Sequence, residues 1–393
     1  MRIVHIMSWY IPKMGYQENF LPSEQKKLGH DVKIITSDRH PLYPGINDNN
    51  RKVKPGKYLD KDIEIYRLPV FFEYRKSGEL FLKGLKKSLT ELKPDVVHVH
   101  SAFSPMALQG IRYQKTTGYK LFIDDHSHMG NYAIDTFAKK LYMKVVKRYY
   151  HRNKKRVSCL LPVQYSSEKI LKNNLPSDIN IRLLHLGAND SIFRPSVEDR
   201  REIRKKYDIG DNEILIITSG KFDDTKDIDF LIESLQDILK NDKYKLVIIG
   251  NGPNEYMNRL EGLSKKIGKG KISFIDFLNN SELNKYYNAA DIGVWPGNHS
   301  IGVIEAISSG LPVVLPDNDV AYKILFDNDA AIGFKRKNTD SLLESIYFLA
   351  DKKKRNIVRK NGLYLISKEL SWSSIAKISL EYYTNLENKT KWD

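Results

Sequence analysis

With 393 residues, 41% hydrophobic and 28% charged, the chain has the composition of a soluble globular protein of two, at most three, domains, which excludes wholesale disorder. No run approaches the ~18 consecutive apolar residues of a spanning helix. Met1–Ile6 enters a strand pattern without a signal-peptide cleavage pattern, and the lone Cys159 permits no internal disulfide, so a cytoplasmic protein is expected. The net charge is +16, and residues 1–200 carry +15 of it, an asymmetry that points this half at an anionic partner, membrane phosphate or nucleic acid.

Short apolar runs alternate with amphipathic stretches throughout, which predicts parallel sheets with crossover helices. In the first half strands are expected at 2–8, 31–36, 62–66, 95–99, 120–123, 157–163 and 180–185. Helices are expected at 17–28, 79–92, 105–115, 133–151 and 166–174. Residues 39–60 read as a long polar loop. The pattern breaks at Pro195–Ser196, a charge-dense helix follows over 198–207, and the alternation restarts. The second half has strands at 213–219, 244–249, 271–276, 291–295 and 312–316. Its helices are expected at 227–239, 255–267, 281–288, 302–308 and 341–350, with a last helix over 372–386. Each half suffices for a doubly wound unit, which binds ligands beyond the carboxyl ends of its strands. The fold class is therefore α/β, with two Rossmann-like domains facing each other across a cleft. The divisions expected are 1–195, 196–370 and a C-terminal helical segment, 371–393, which in the proteins this chain resembles crosses back to the first domain.

The first βα turn contains Gly15-Tyr16-Gln17-Glu18, and glycine at a helix start admits either close approach of a phosphate or an ordinary tight turn. No GxGxxG is present: Gly250-Asn251-Gly252 continues without the third glycine, which lowers a nicotinamide-dependent reading. Lys221 and Lys226 flank a turn at a strand's carboxyl end, a position suited to clamping a diphosphate as well as to simple solvation. In Asp291–Val314 a strand ends, a small polar loop follows, and a helix starts at Ile301–Gly302, with Glu305 one turn in where a carboxylate can accept ribose hydroxyls. His126 ends a strand. His98-x-His100 and His126-x-His128 could each bind zinc beside Asp124 and Asp125, or sit as buried strand residues; no metal is expected.

The order and spacing of these pieces, with Pro94–His100, Leu186–Asn189, Ala290-Asp291 and Glu305-Ala306…Gly310–Val314, resemble glycosyltransferase family 4 of the GT-B nucleotide-sugar glycosyltransferases, in its bacterial surface-polysaccharide branch. The resemblance implies that Lys221 and Lys226 hold the donor diphosphate and that His126 orients the sugar or its phosphate. Gly15, Gly302, Asn298, His299, Ser300, Gly252 and Phe277 are assigned with Glu305 to the donor. Tyr16, Glu18 and His100 are assigned to the acceptor. Glu305 matches the second glutamate of the family's E-x7-E motif; the first falls at Gly297 and is absent, with Asn298 or the backbone amides of 298–300 as substitutes. The implied reaction is metal-independent and retaining, the leaving phosphate oxygen taking the acceptor's proton. No cofactor is implied; a UDP- or GDP-linked sugar is the substrate and a lipid-linked or cell-surface glycan the acceptor.

Residues 136–167 hold nine basic side chains and no acidic one. Lys140, Lys144, Lys147 and Arg148, with Phe137, Tyr142, Tyr149 and Tyr150 interleaved, read as an anionic-membrane surface on a protein peripheral to the inner face of the cell membrane. The alternatives are a catalytically silent GT-B partner subunit, suggested by Gly297, and a basic nucleic-acid-binding protein, for which no binding motif is present, so no nucleic-acid partner is expected.

Overall fold

The computed structural model describes residues 1–12, 15–41, 51–74, 79–127, 136–268 and 270–385. It forms two compact units, one of Met1–Leu186 with the stretch from Trp372 onward, the other Gly187–Ser371. In chain order the first unit contains β1 (Arg2–Met7), α1 (Gln17–Lys27), β2 (Asp31–Ser37), β3 (Gly56–Asp60), β4 (Ile63–Leu68), β5 (Val70–Tyr74), β6 (Glu79–Leu82), α2 (Leu85–Leu92), β7 (Val96–Val99), α3 (Pro105–Thr117), β8 (Lys120–Asp125), α4 (Phe137–Asn153), β9 (Cys159–Pro162) and α5 (Tyr165–Asn174). The second contains α6 (Val197–Lys206), β10 (Ile214–Lys221), α7 (Ile228–Ser234), α8 (Gln236–Leu239), β11 (Tyr244–Asn251), α9 (Asn254–Ile267), β12 (Ile272–Ile275), α10 (Asn280–Ala289), β13 (Ile292–Val294), α11 (Gly302–Ser308), β14 (Val313–Pro316), α12 (Lys323–Asp327), β15 (Ile332–Phe334), α13 (Thr339–Ala350) and α14 (Lys352–Leu365). Helix α15 (Trp372–Thr384) completes the first unit.

The first unit's seven-stranded sheet runs β3-β4-β2-β1-β7-β8-β9, parallel except for β3. Its central strands are nearly continuous apolar runs because both faces are covered. One face packs Val97, Val99, Leu121, Ile123 and Leu160 against Ile111 of α3 and Val146 of α4. The other packs Ile3, Val96, Phe122 and Leu161 against Leu21 of α1 and Trp372, Ile375 and Tyr383 of α15. Period-two alternation then places His5, His98, His100 and Asp124 on this second face, toward the carboxyl ends of β1, β7 and β8.

The second unit's sheet is all parallel, in the order β12-β11-β10-β13-β14-β15. The chain leaves β10 on one side to β11 and returns on the other as β13, so a switch point lies at the carboxyl ends of β10 and β13. Gly250 and Gly252 follow from packing: an added Cβ would stand 1.9 Å from the Gly220 carbonyl oxygen in one case and 2.3 Å from that of Phe222 in the other.

Several expected elements differ. Gly56–Asp60, read as loop, is an antiparallel edge strand; its side chains are almost wholly exposed, so no alternation marks it. Residues 42–50 of that stretch, His128, the start of the 133–151 helix and the end of the 372–386 helix lie outside the described residues. The helix expected over 79–92 begins only at Leu85, because Gly84 is left-handed and Glu79–Leu82 pairs with Val70–Tyr74 as a hairpin. The strand expected at 180–185 is a single bridge, Ile181 to Leu160. The helix expected over 227–239 is split at Leu235. The compact units part at Leu186/Gly187, ahead of the proline break. Residues 188–195 are tied to the second unit by Ala188 N to Leu370 O (2.8 Å), Arg194 N to Asn284 Oδ1 (3.1 Å) and Ser308 Oγ to Phe193 O (2.6 Å).

Candidate functional site

In the second unit, Ser219, Gly220, Lys221, Lys226, Gly297 and Asn298 line one pocket at the switch point. Lys221 ends β10, exposed, with no ion-pair partner among the described residues. Lys226 lies in a 3₁₀ turn begun by Asp223, whose carboxylate accepts from Thr225 N (2.9 Å). Its Nζ donates to the carbonyls of Asn298 (3.1 Å) and His299 (2.8 Å), and burial lowers its pKa. The next residue, Asp227, is left-handed and buried, and holds Arg336 at 2.7 Å and Lys337 at 3.0 Å. Arg336 in turn donates to Asn298 Oδ1 (3.2 Å). Arg336 and Tyr322 were not singled out from sequence, and Asp227 only as half of an Asp227/Asp229 pair set aside as a chance match; the signal for Arg336 was a basic Lys335-Arg336-Lys337 run after an unrecognised short strand.

The loop 295–300 is braced from within the unit. Trp295 Nε1 donates to Ser219 O (2.9 Å), Asn298 N to Thr225 O (2.9 Å) and Ser300 N to the Tyr322 hydroxyl (3.0 Å). The amides of Asn298 and Ser300 therefore already have acceptors, which counts against their replacing the missing glutamate. The His299 ring packs 5.1 Å from that of Tyr322. At Gly302 an added Cβ would meet the Tyr287 hydroxyl at 3.1 Å, and Tyr287 bonds Ser219 Oγ at 2.7 Å. Glu305 sits one turn into α11, close enough to Tyr287 to affect it electrostatically, and burial pushes its own carboxyl up to about 7. Phe277 is exposed beyond β12, two strands from β10.

In the first unit, Gly15 is left-handed (φ 80°) with open space where a Cβ would be, so turn geometry suffices to explain it. Tyr16 is exposed at the N-cap of α1, and Glu18 lies in its first turn, where it acts electrostatically on His126. His126 follows β8, with Nε2 at 3.6 Å from Asp124 Oδ1 and its side chain 37% exposed. His100 is not placed to touch an acceptor: it is 5% exposed, its Nδ1 is 2.7 Å from Asp124 Oδ2 and its Nε2 is 3.1 Å from His5 Nδ1. The first unit thus brings Glu18 and His126 together, and the second brings Lys221, Lys226, Gly297 and Asn298 together.

Among the described residues one group could gather around a cation: His98, His100 and Asp124 place a donor atom each within 4.8 Å of one another. His98 Nε2 is hydrogen-bonded to Asp124 Oδ2 (3.2 Å), while His100 Nδ1 lies 2.7 Å from the same oxygen without hydrogen-bond geometry.

On α4, Lys140, Lys144 and Arg148 are exposed and Lys147 half-buried. Phe137, Leu141 and Val145 recur between them on the same outward face, 83%, 54% and 54% exposed. The tyrosines expected at this surface are not available: Tyr142 and Tyr150 donate to the carbonyls of Phe103 and Ala102, and Tyr149 packs on the core. No helix of the described residues is long and apolar enough to cross a membrane.

The family Glycosyltransferase Family 4 matches residues 23–217, and Glycosyl transferases group 1 matches residues 199–363. An uncharacterized glycosyltransferase of Methanocaldococcus jannaschii is 29% identical over 217 residues, 53% of this chain and 55% of that protein, so this match spans about half of each. The alpha-monoglucosyldiacylglycerol synthase of Acholeplasma laidlawii is 26% identical, over 79% of this chain and 78% of that one. Among solved structures, Anabaena HepE in complex with UDP superposes with a TM-score of 0.69 at 11% identity, over 98% of this chain and 100% of that one. Sheet order, family matches and structural likeness agree: the chain is a GT-B glycosyltransferase that resembles glycosyltransferase family 4.

Proposed function

We propose that the protein transfers a sugar from a UDP- or GDP-linked donor to a hydroxyl of a lipid-linked or cell-surface glycan, with retention at the anomeric carbon and without a metal ion, while docked on the anionic inner face of the cell membrane. The observation that carries the donor assignment is the pairing of Lys221 and Lys226 on one pocket at the β10/β13 switch point. Departure of a nucleoside diphosphate builds negative charge, which the ammonium groups of Lys221 and Lys226 can stabilise, that of Lys226 being held in place in advance. Lys226 is fixed by two carbonyls rather than by a carboxylate, so its charge is not cancelled at short range. Glu305 supplies a carboxylate for ribose hydroxyls, and His126 a donor toward sugar or phosphate. Supporting a lipid acceptor are the interleaved basic and apolar residues of α4 and the likeness to an alpha-monoglucosyldiacylglycerol synthase. Gly297 favours a second reading, a silent partner subunit, because no side chain fits there.

A melting-temperature panel of nucleotides and nucleotide sugars, followed by transfer assays with lipid extracts, tests the reading. A rise of several degrees with one nucleoside diphosphate and its sugar, then a glycosylated lipid, is expected. Donor binding without transfer or hydrolysis would favour the silent subunit.

A further inference from the structure

Asp227 stands at the N-cap of α7, yet its side chain caps nothing: no amide of the helix donates to it, and Ile228 N donates to the Tyr256 hydroxyl at 3.0 Å instead. It is also buried and left-handed (φ 53°), a conformation that glycine adopts freely and that a residue with a Cβ adopts at a cost. The carboxylate is spent on the turn that follows β15. Arg336 donates to Oδ2 through Nε (3.0 Å) and Nη2 (2.7 Å), and Lys337 Nζ lies 3.0 Å from Oδ1. Lys337 is itself left-handed (φ 58°), and Asn338 N closes its turn on Lys335 O at 3.0 Å. Two non-glycine residues held left-handed on either side of one ion pair are over-determined by their surroundings for a reason other than turning the chain.

The ion pair closes a ring around Lys226. Arg336 Nη1 donates to Asn298 Oδ1 (3.2 Å), the Asn298 carbonyl accepts from Lys226 Nζ (3.1 Å), and Asn298 N donates to Thr225 O (2.9 Å). Lys226 is joined to Asp227 by the chain itself. The guanidinium thus ties the turn 223–227 to the loop 295–300, the two segments that fix where the Lys226 ammonium stands. Removing Arg336 leaves Lys337 on Asp227, so the buried carboxylate keeps a partner.

We propose that Arg336 is a positioning residue for Lys226: anchored on Asp227, its planar fork holds Asn298 so that the carbonyls of Asn298 and His299 seat the ammonium in the pocket at the β10/β13 switch point. A lysine in its place is a single point charge and cannot meet the Asp227 carboxylate and the Asn298 amide oxygen with the same fork geometry. That the seated ammonium meets a diphosphate rests on the donor assignment above; the seating itself does not.

The test is trace acetylation of lysine ε-amines in the ligand-free full chain at pH 8, read site by site by mass spectrometry, with exposed Lys221 as the reference in the same sample. In the parent, Lys226 should label several-fold more slowly than Lys221, and Arg336→Ala should raise the Lys226/Lys221 ratio by roughly threefold or more, with Arg336→Lys restoring little of it. Lys245, held by Asp208 O (2.7 Å) and Glu213 (3.1 Å) in the same unit, is the control for general loosening and should not change. An unchanged Lys226 ratio in Arg336→Ala, or an equal rise at Lys245, overturns the proposal. Should Arg336→Ala not fold, Asn298→Ala cuts the same link at its other end with the Asp227 ion pair intact, and the same ratio decides. A second readout is the affinity of whichever nucleoside diphosphate the melting panel selects. Arg336→Ala should weaken it about tenfold in the parent and less than about twofold in a Lys226→Ala background, because a residue that acts through Lys226 has nothing left to position there. Equal losses in both backgrounds overturn the proposal. If no nucleoside diphosphate binds the parent, the proposed function falls, while the labelling ratio still decides the seating of Lys226.

Discussion

Building a Cβ onto Gly297 would bring it 2.3 Å from the Thr225 carbonyl oxygen and 2.4 Å from the Lys226 carbonyl carbon. The obstacle is backbone, which cannot swing aside like a side-chain tip. The turn that carries Lys226 thus occupies the space in which the family's first glutamate would begin, and the Asn298 N to Thr225 O bond closes it. Gly297→Ala should therefore lose about 1–3 kcal/mol in denaturant unfolding, and Gly297→Glu should lose at least as much without any gain in transfer. A stable, more active Gly297→Glu would show that the loop is free to rearrange. Glu305 makes a second prediction at this scale. Burial has raised its carboxyl to about 7, so it is a neutral acid below that pH and a carboxylate above. A charge-assisted bond to ribose exceeds a neutral one by about 1 kcal/mol, so nucleoside diphosphate affinity should drop about fivefold from pH 8 to pH 6. Calorimetry on Glu305→Gln should show weaker binding with that pH dependence flattened; an unchanged profile would remove Glu305 from the ribose.

Helix α4 shows what three-dimensional placement adds to a charge count. The nine basic residues of 136–167 were visible in sequence, but of the four aromatics expected to enter a membrane only Phe137 stands exposed. Two of the tyrosines are anchored by hydroxyl bonds to loop carbonyls, whereas Leu141 and Val145, unremarkable as letters, stand exposed with Phe137. Lys140→Glu, Lys144→Glu and Lys147→Glu together should abolish salt-sensitive sedimentation with anionic vesicles, each cation near the surface contributing about 1 kcal/mol. Phe137→Ser with Leu141→Ser should weaken binding to the same vesicles in a salt-independent way, through lost apolar burial. Parent-like sedimentation of both variants would place the docking surface elsewhere. Core strands such as Val96–Val99 and Ile214–Lys221 were legible because burial on both faces writes a continuous apolar run. The edge strand Gly56–Asp60 writes none, and the leucines at 80, 82, 85, 89 and 92 imitate one helix across a strand, a left-handed glycine and a shorter helix.

Across the whole molecule the first unit is discontinuous in sequence: its last strand-helix pair ends at Asn174 and the helix that closes it begins at Trp372. Tyr383 bonds His98, its carbonyl accepts from Lys120 Nζ (3.0 Å), and Gln25 Nε2 donates to Ser379 Oγ (2.8 Å). Truncation after Ser371 would strip Trp372 and Tyr383 from the face they bury and leave Gln25 and His98 without these partners. Losing two buried aromatics costs at least about 3 kcal/mol, so melting should fall by roughly 6–12 °C or the unit should not fold; unaltered melting would mean that α15 is dispensable. The donor-side residues were legible because they cluster at two strand ends and match a known order. The Asp124 network was only half legible: His98-x-His100 announced a shared face, but its partners Gln25, Asp124 and Tyr383 come from distant segments that only the fold assembles.

The most direct test of the central claim is nucleoside diphosphate release from the donor selected by the melting panel, in excess EDTA, by the parent and by Lys226→Ala. Release or transfer is expected to survive chelation in the parent and to fall about 10²–10³-fold in Lys226→Ala, mostly in turnover. Parent activity lost in EDTA and restored by a divalent ion, or a Lys226→Ala enzyme within threefold of the parent, would contradict it.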